Sequence, residues 1–97
     1  ESLKKYNFTK GFFGTNGVSI KIGYSTPDVS EALVKAEALS KCSARFVLAD
    51  SSKFNSVCPI TFAKLDTAAI ITTKLKDLQY KNYTNIMEIE YDLHGNL

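Results

Sequence analysis

The sequence has no tryptophan, one methionine, one histidine, two prolines and two cysteines among its 97 residues. These shortages exclude several chemistries. A structural zinc site takes about four Cys or His ligands, and Cys42, Cys58 and His94 are too few and too scattered to supply one. With a single late histidine, no Ser-His-Asp or Cys-His constellation is available for nucleophilic catalysis. No metal and no cofactor are therefore expected. The two cysteines read as small core residues of a reduced, cytoplasmic protein. No apolar run approaches the roughly 20 residues of a membrane span, and no stretch has the pattern of a secretory leader, so no membrane partner is expected. The net charge is only +2, and its lysines and arginines form no stripe that would track nucleic-acid phosphates.

What is present is ordinary globular material: 44% hydrophobic and 23% charged residues, enough for about one small domain. The chain opens on Glu1 rather than Met, so it reads as an excerpt of a longer protein. "GFFGTNGV" (11–18) predicts a strand running into a tight Asn-Gly turn; Asn16-Gly17 can also close a hairpin with "VSIKIGY" (18–24) as its second arm. A helix opens at Thr26 with Pro27 at its first position, or at Asp28 with Glu31 in capping-box spacing. It runs to Lys41 or Ser43, turning Val29, Ala32, Leu33 and Ala36 toward a sheet. "RFVLAD" (45–50) is an almost continuously apolar strand, as in parallel sheets covered on both faces. "TFAKL" (61–65) reads as a weakly helical link, "TAAIITT" (67–73) as a buried strand, "LKDLQY" (75–80) as a short helix or turn, and "NIMEIEY" (85–91) as an edge strand. The aromatics Phe12, Phe13, Phe46 and Phe62 read as core.

This order predicts an α/β fold, a mostly parallel open sheet built from βαβ units. Ligands of such sheets sit beyond the carboxyl ends of the strands. Three polar clusters fall there: Thr15-Asn16-Gly17, Asp50-Ser51-Ser52-Lys53 and Thr72-Thr73-Lys74. Lys53 offers a point charge suited to phosphate, Ser51 and Ser52 add donors, and Thr26 lies beside unpaired helical N–H groups. Asn16 both donates and accepts, as a sugar hydroxyl requires, and Gly17 permits close backbone approach. Together they fit a small phosphorylated polyol. Plainer readings stand beside this one. Residues 50–53 also make a solvated turn, Thr26 and Asp28 make helix caps, Lys35 pairs with Glu31 at i,i+4, and Asn16-Gly17 makes a turn.

The segments "GFFGTNGV", "GYSTPDVSEALVKAEAL", "FVLADSSKF" and "FAKLDTAAIITT" resemble the C-terminal effector-binding domain of DeoR-type bacterial transcriptional repressors. The likeness extends from about Tyr6 to Thr73. Thr-Pro-Asp followed at this distance by Ala-Asp-Ser-Ser-Lys-Phe is its specific part. The resemblance implies a fold like that of ribose-phosphate isomerases and glucosamine-phosphate deaminases. It also implies ligand-binding residues Asn16, Gly17, Thr26, Asp28, Lys35 and Lys53. In the isomerases, a similar Asp-x-Ser-Lys segment places its lysine in the sugar-phosphate site. The implied effector is a sugar phosphate such as fructose 1-phosphate or tagatose 6-phosphate, made by a phosphotransferase uptake system. The implied whole protein is a cytoplasmic homo-oligomer that reaches operator DNA of a fructose or lactose operon through a helix-turn-helix. On this reading residues 1–97 are one partial effector domain, lacking that helix-turn-helix and the first part of the sensor. The chain departs from the family pattern at Ser25 for threonine, Asn55 for glycine and Thr73 for aspartate; Asn55 tolerates positive φ, while Thr73 leaves a carboxylate role unfilled. The alternative is a sugar-phosphate isomerase on the same fold. Against it, Gly14, Thr15, Asn16 and Gly17 occupy the place of the isomerases' acid-rich Gly-Ala-Asp-Glu segment.

Overall fold

The structure, a computed structural model, describes residues 8–90; His94 and the end of the expected strand at Tyr91 lie outside the described residues. The elements in chain order are β1 (Phe8–Gly14), β2 (Gly17–Ser19), β3 (Gly23–Thr26), α1 (Val29–Ser40), β4 (Cys42–Leu48), β5 (Ile60–Ala63), β6 (Ala69–Thr72) and β7 (Ile86–Glu88). Short 3-10 turns span Ser51–Lys53, Leu65–Thr67 and Leu78–Asn82. Four strands form a parallel sheet in the order β1-β4-β6-β7, and three form an antiparallel sheet in the order β2-β3-β5. The expected parallel neighbours are present, with Phe13 opposite Val47 and Val47 opposite Ile70. β7 is the expected edge strand, opposite β6.

The antiparallel sheet corrects two expectations. The hairpin does not close across Asn16-Gly17. The favoured two-residue hairpin turns need positive φ at the first or at both central residues, and neither Asn16 nor Gly17 has it. β1 pairs with β4 instead, and both hairpin arms lie within 17–26, turning through Ile20, Lys21 and Ile22. Gly17 is required for space: an added Cβ would lie 2.5 Å from the Ser56 carbonyl oxygen and 2.7 Å from Ser25 Oγ. The "TFAKL" segment is not helical, since Ile60–Ala63 is strand β5 on β3. There Phe62 stacks with Tyr24 at 6.1 Å between ring centroids, and this packing outweighs weak local propensity.

Helix α1 starts at Asp28, whose Oδ1 accepts from the N–H groups of Ser30 (2.8 Å) and Glu31 (3.2 Å). Thr26 is not the cap; it ends β3 and is fully buried. The helix is also rotated from its expected face. Ala32 and Leu39 point inward, while Val29 and Leu33 are 55% and 68% exposed and Ala36 is exposed. The inward stripe carries Lys35, whose ammonium is neutralised locally by Glu31. Val47, Ile70, Tyr24 and Tyr80 anchor the core between the helix, the antiparallel sheet and one face of the parallel sheet. Phe62 belongs to this core and Phe13 packs against it, but Phe12 is 57% exposed on the other face. No described helix is long and apolar enough to cross a membrane.

Candidate functional site

The carboxyl ends of β1, β4 and β6 border an open cavity of about 330 Å³ lined by Gly14, Thr15, Leu48, Ala49, Asp50, Lys53, Ile71, Thr72, Thr73 and Ile89. Parallel register puts these ends side by side, so each strand's apolar run delivers its following polar residues to one edge. Lys53 is held by the turn that Asp50 caps: Asp50 Oδ1 accepts from the Ser52 N–H (2.9 Å) and from the Ser52 hydroxyl. The two Ser52 bonds hold the Asp50 carboxyl below its ordinary range. The Lys53 ammonium has no hydrogen bond or ion pair to any described side chain or carbonyl. Thr72 is 2% exposed and its hydroxyl has no partner among the described residues. Buried hydroxyls are almost always satisfied, and among the described residues the Thr72 hydroxyl is an exception.

Thr26, Asn16 and Lys35 form a second cluster around the end of β1. The Thr26 hydroxyl lies 3.3 Å from both Asn16 Oδ1 and Glu31 Oε1. Lys35 donates to the Gly14 carbonyl at 2.6 Å, pairs with Glu31 at 2.7 Å and lies 5.3 Å from the Phe62 ring centroid. Gly14 belongs to both places, since it also lines the Lys53 cavity. Asn16, Gly17, Thr26, Asp28 and Lys35 do not line that cavity. Asp28 serves as helix cap, and the Gly17 carbonyl accepts from the Thr15 hydroxyl at 2.8 Å. Of the polar clusters expected to converge, residues 15, 50, 53, 72 and 73 do so; Asn16 and Gly17 turn away into the antiparallel sheet, and Ser51, Ser52 and Lys74 are not among the lining residues.

Two residues that sequence reasoning passed over organise these clusters. Glu31, read from the sequence as a capping-box residue and as the i,i+4 partner of Lys35 but not as part of a site, accepts from both Thr26 and Lys35. Tyr80, fully buried, reaches the segment after Lys53. Its hydroxyl lies 2.8 Å from Asn55 Oδ1 and 3.1 Å from the Val18 carbonyl, and accepts from the Asn55 N–H at 3.1 Å. Asn55 adopts φ +62°, the left-handed conformation asparagine tolerates. A second hollow of about 530 Å³, lined in part by Lys21, Lys64 and Tyr83, lies beside segments that precede β6 and β7. It is thus at the amino ends of those strands, away from the edge where parallel sheets place ligands.

The hydrogen bond and charge of Lys35 hold the Glu31 carboxyl below its ordinary value of 4.5. A depressed carboxyl contributes stability that is present above its unfolded pKa and lost as pH falls through the lower folded one. Carbon-detected NMR should therefore give Glu31 a titration midpoint below 4.5. Lys35→Ala should raise that midpoint toward the ordinary value; an unmoved midpoint would mean the pair does not form in solution.

A family model described as the DeoR C terminal sensor domain matches residues 1–74. The chain belongs to the DeoR C-terminal sensor domain family. An uncharacterised HTH-type transcriptional regulator, FruR, of Bacillus subtilis (strain 168) is 43% identical over 82 residues, covering 84% of this chain and 33% of that protein. The HTH-type transcriptional regulator IolR of the same strain is 32% identical over 88 residues, covering 90% of this chain and 35% of that protein. The DeoR-type chain thus spans about a third of the length of these relatives. Tyr80 lies beyond the stretch the DeoR family model matches.

Proposed function

We propose that this chain is the sensor part of a cytoplasmic, homo-oligomeric DeoR-type repressor that binds a phosphorylated sugar, such as fructose 1-phosphate or tagatose 6-phosphate. Binding at the strand ends then controls the attachment of a separate helix-turn-helix region to operator DNA of a sugar-uptake operon. The observation that carries this reading is the presence, at one strand-end cavity, of Lys53, which makes no hydrogen bond or ion pair among the described residues, together with the exposed Thr73. Lysine suits a phosphate and the Thr73 hydroxyl suits a polyol. Asn16, Thr26 and Lys35 form a neighbouring cluster, joined to the cavity by the Lys35 hydrogen bond to the Gly14 carbonyl. The regulator names of the relatives favour a binding module over an isomerase.

A charge-assisted contact from lysine to phosphate is worth roughly 1.5–3 kcal/mol. In the full-length regulator, Lys53→Ala should weaken sugar-phosphate binding about ten- to a hundredfold while leaving the melting temperature nearly unchanged. Lys53→Arg should rescue only in part, because a planar fork does not replace a point charge in a fitted pocket. Calorimetric titration with fructose 1-phosphate and tagatose 6-phosphate reads the effect. Equal affinity for wild type and Lys53→Ala would return residues 50–53 to a solvated turn.

A further inference from the structure

The backbone that carries Lys53 is fastened on both sides of it. On the β4 side, the Ala49 N–H donates to the Ile71 carbonyl at 3.0 Å, Asp50 caps the turn, and the Lys53 N–H donates to the Asp50 carbonyl at 3.1 Å. On the far side the chain is held again at once. Phe54 forms a bridge with Val18, and the N–H groups of Asn55 and Ser56 both donate to the Val18 carbonyl. Tyr80, in the turn Leu78–Asn82, underlies this second anchorage. Its ring meets Phe54 edge-to-face. Its hydroxyl accepts from the Asn55 N–H and has Asn55 Oδ1 and the Val18 carbonyl within reach of its proton. Asp77 caps the Tyr80 turn, its Oδ1 accepting from the Gln79 N–H at 3.1 Å. A fully buried ring in a close-packed interior has little room to move.

We infer that Tyr80 is a positioning residue for Lys53, fixing where the ammonium stands at the strand-end cavity by holding the exit of the turn that carries it. The inference rests on the sugar-phosphate reading of that cavity. The ammonium has no partner among the described residues, so its place is set by the backbone from which its stem projects. A lysine–phosphate contact is short, about 2.7–2.9 Å, and a binding constellation works when held within about 0.5 Å of its productive geometry. Tyr80 is not among the residues that line the cavity. Its influence on a bound phosphate therefore runs through the segment from Lys53 to Ser56. The flexible lysine stem takes up part of any shift in that segment, so losing the Tyr80 hydroxyl costs less affinity than losing the ammonium.

The test is a double-mutant cycle in the full-length regulator, titrated calorimetrically with fructose 1-phosphate and with tagatose 6-phosphate well below the melting temperature of each variant. Tyr80→Phe should weaken binding about three- to tenfold. Added to Lys53→Ala it should weaken binding no further, because the group it positions is gone. Phe54→Leu keeps an apolar side chain beside Val18 but loses the ring-to-ring contact. It should weaken binding at least about twofold, again only where Lys53 is present, and it decides the matter if Tyr80→Phe does not fold. A hydroxyl that only stabilises the fold would weaken binding by the same factor with and without Lys53, and that result overturns the inference. Full affinity in Tyr80→Phe and Phe54→Leu, beside weakened binding in Lys53→Ala, overturns it too and leaves the sugar-phosphate reading standing. Full affinity in Lys53→Ala, or no binding of either sugar phosphate by the wild type, overturns both.

Discussion

Gly23→Val should lower the unfolding free energy by about 2–6 kcal/mol and leave much of the chain unfolded at 37 °C, against the roughly 5–15 kcal/mol total of an ordinary domain. Gly23 has φ +103°, outside the range that L side chains adopt easily. Its added Cβ would collide with the Ala63 carbonyl oxygen and lie 3.0 Å from Lys64 Cα. Both are backbone atoms at the end of β5, so neither can rotate aside. Backbone strain of this kind costs about 1–3 kcal/mol, and overpacking costs about 1–3 kcal/mol more. Gly14→Ala is the control, because a Cβ there meets nothing within 4 Å. Urea unfolding reads both. Equal midpoints for Gly23→Val and wild type would show that β3 and β5 do not meet at this register.

Tyr80→Ala should cost about 3–5 kcal/mol, as other large-to-small changes at buried aromatics do, and Tyr80→Phe about 1–3 kcal/mol for the hydroxyl alone. The ring packs edge-to-face on Phe54 at 4.9 Å. The hydroxyl fastens Asn55 and the Val18 carbonyl, which also accepts from the N–H groups of Asn55 (2.7 Å) and Ser56 (3.3 Å). One side chain thus ties the segment after Lys53 to the antiparallel sheet. In Tyr80→Phe, amide exchange at Asn55 and Ser56 should quicken while exchange in β4 stays slow. Uniform quickening across the chain would mean that the hydroxyl stabilises the whole fold and not this junction.

The parallel core was legible because β1, β4 and β6 are apolar runs that each end in hydroxyls or charge, as strands of parallel sheets do, although the described fold buries one face of that sheet and leaves Phe12 and Leu48 exposed on the other. Lys53 was legible for the same reason, through its place at a strand end. The antiparallel sheet was not. β2, β3 and β5 are three or four residues each, too short for an alternation to declare itself, and Gly17 and Gly23 exchange the roles that Asn-Gly suggests. Tyr80 was hidden because its partners Val18 and Asn55 lie 62 and 25 residues away. The rotation of α1 was masked by Val29, Leu33 and Val34, apolar residues at helical spacing that the described fold leaves exposed.

Phe8 pairs with Cys42, and among the described strands β4 is the neighbour of β1, so that pairing waits until β4 exists. The hairpin and α1 lie between them and close over short distances first, which shortens the effective loop that the β1–β4 pairing must close. Thereafter β6 adds to β4, and β7 to β6. The spatial order of the strands is therefore also the order in which a ribosome releases them, at about 5–20 residues per second. Each new strand meets the edge left by its predecessor, and the sheet can be laid down in the direction of synthesis.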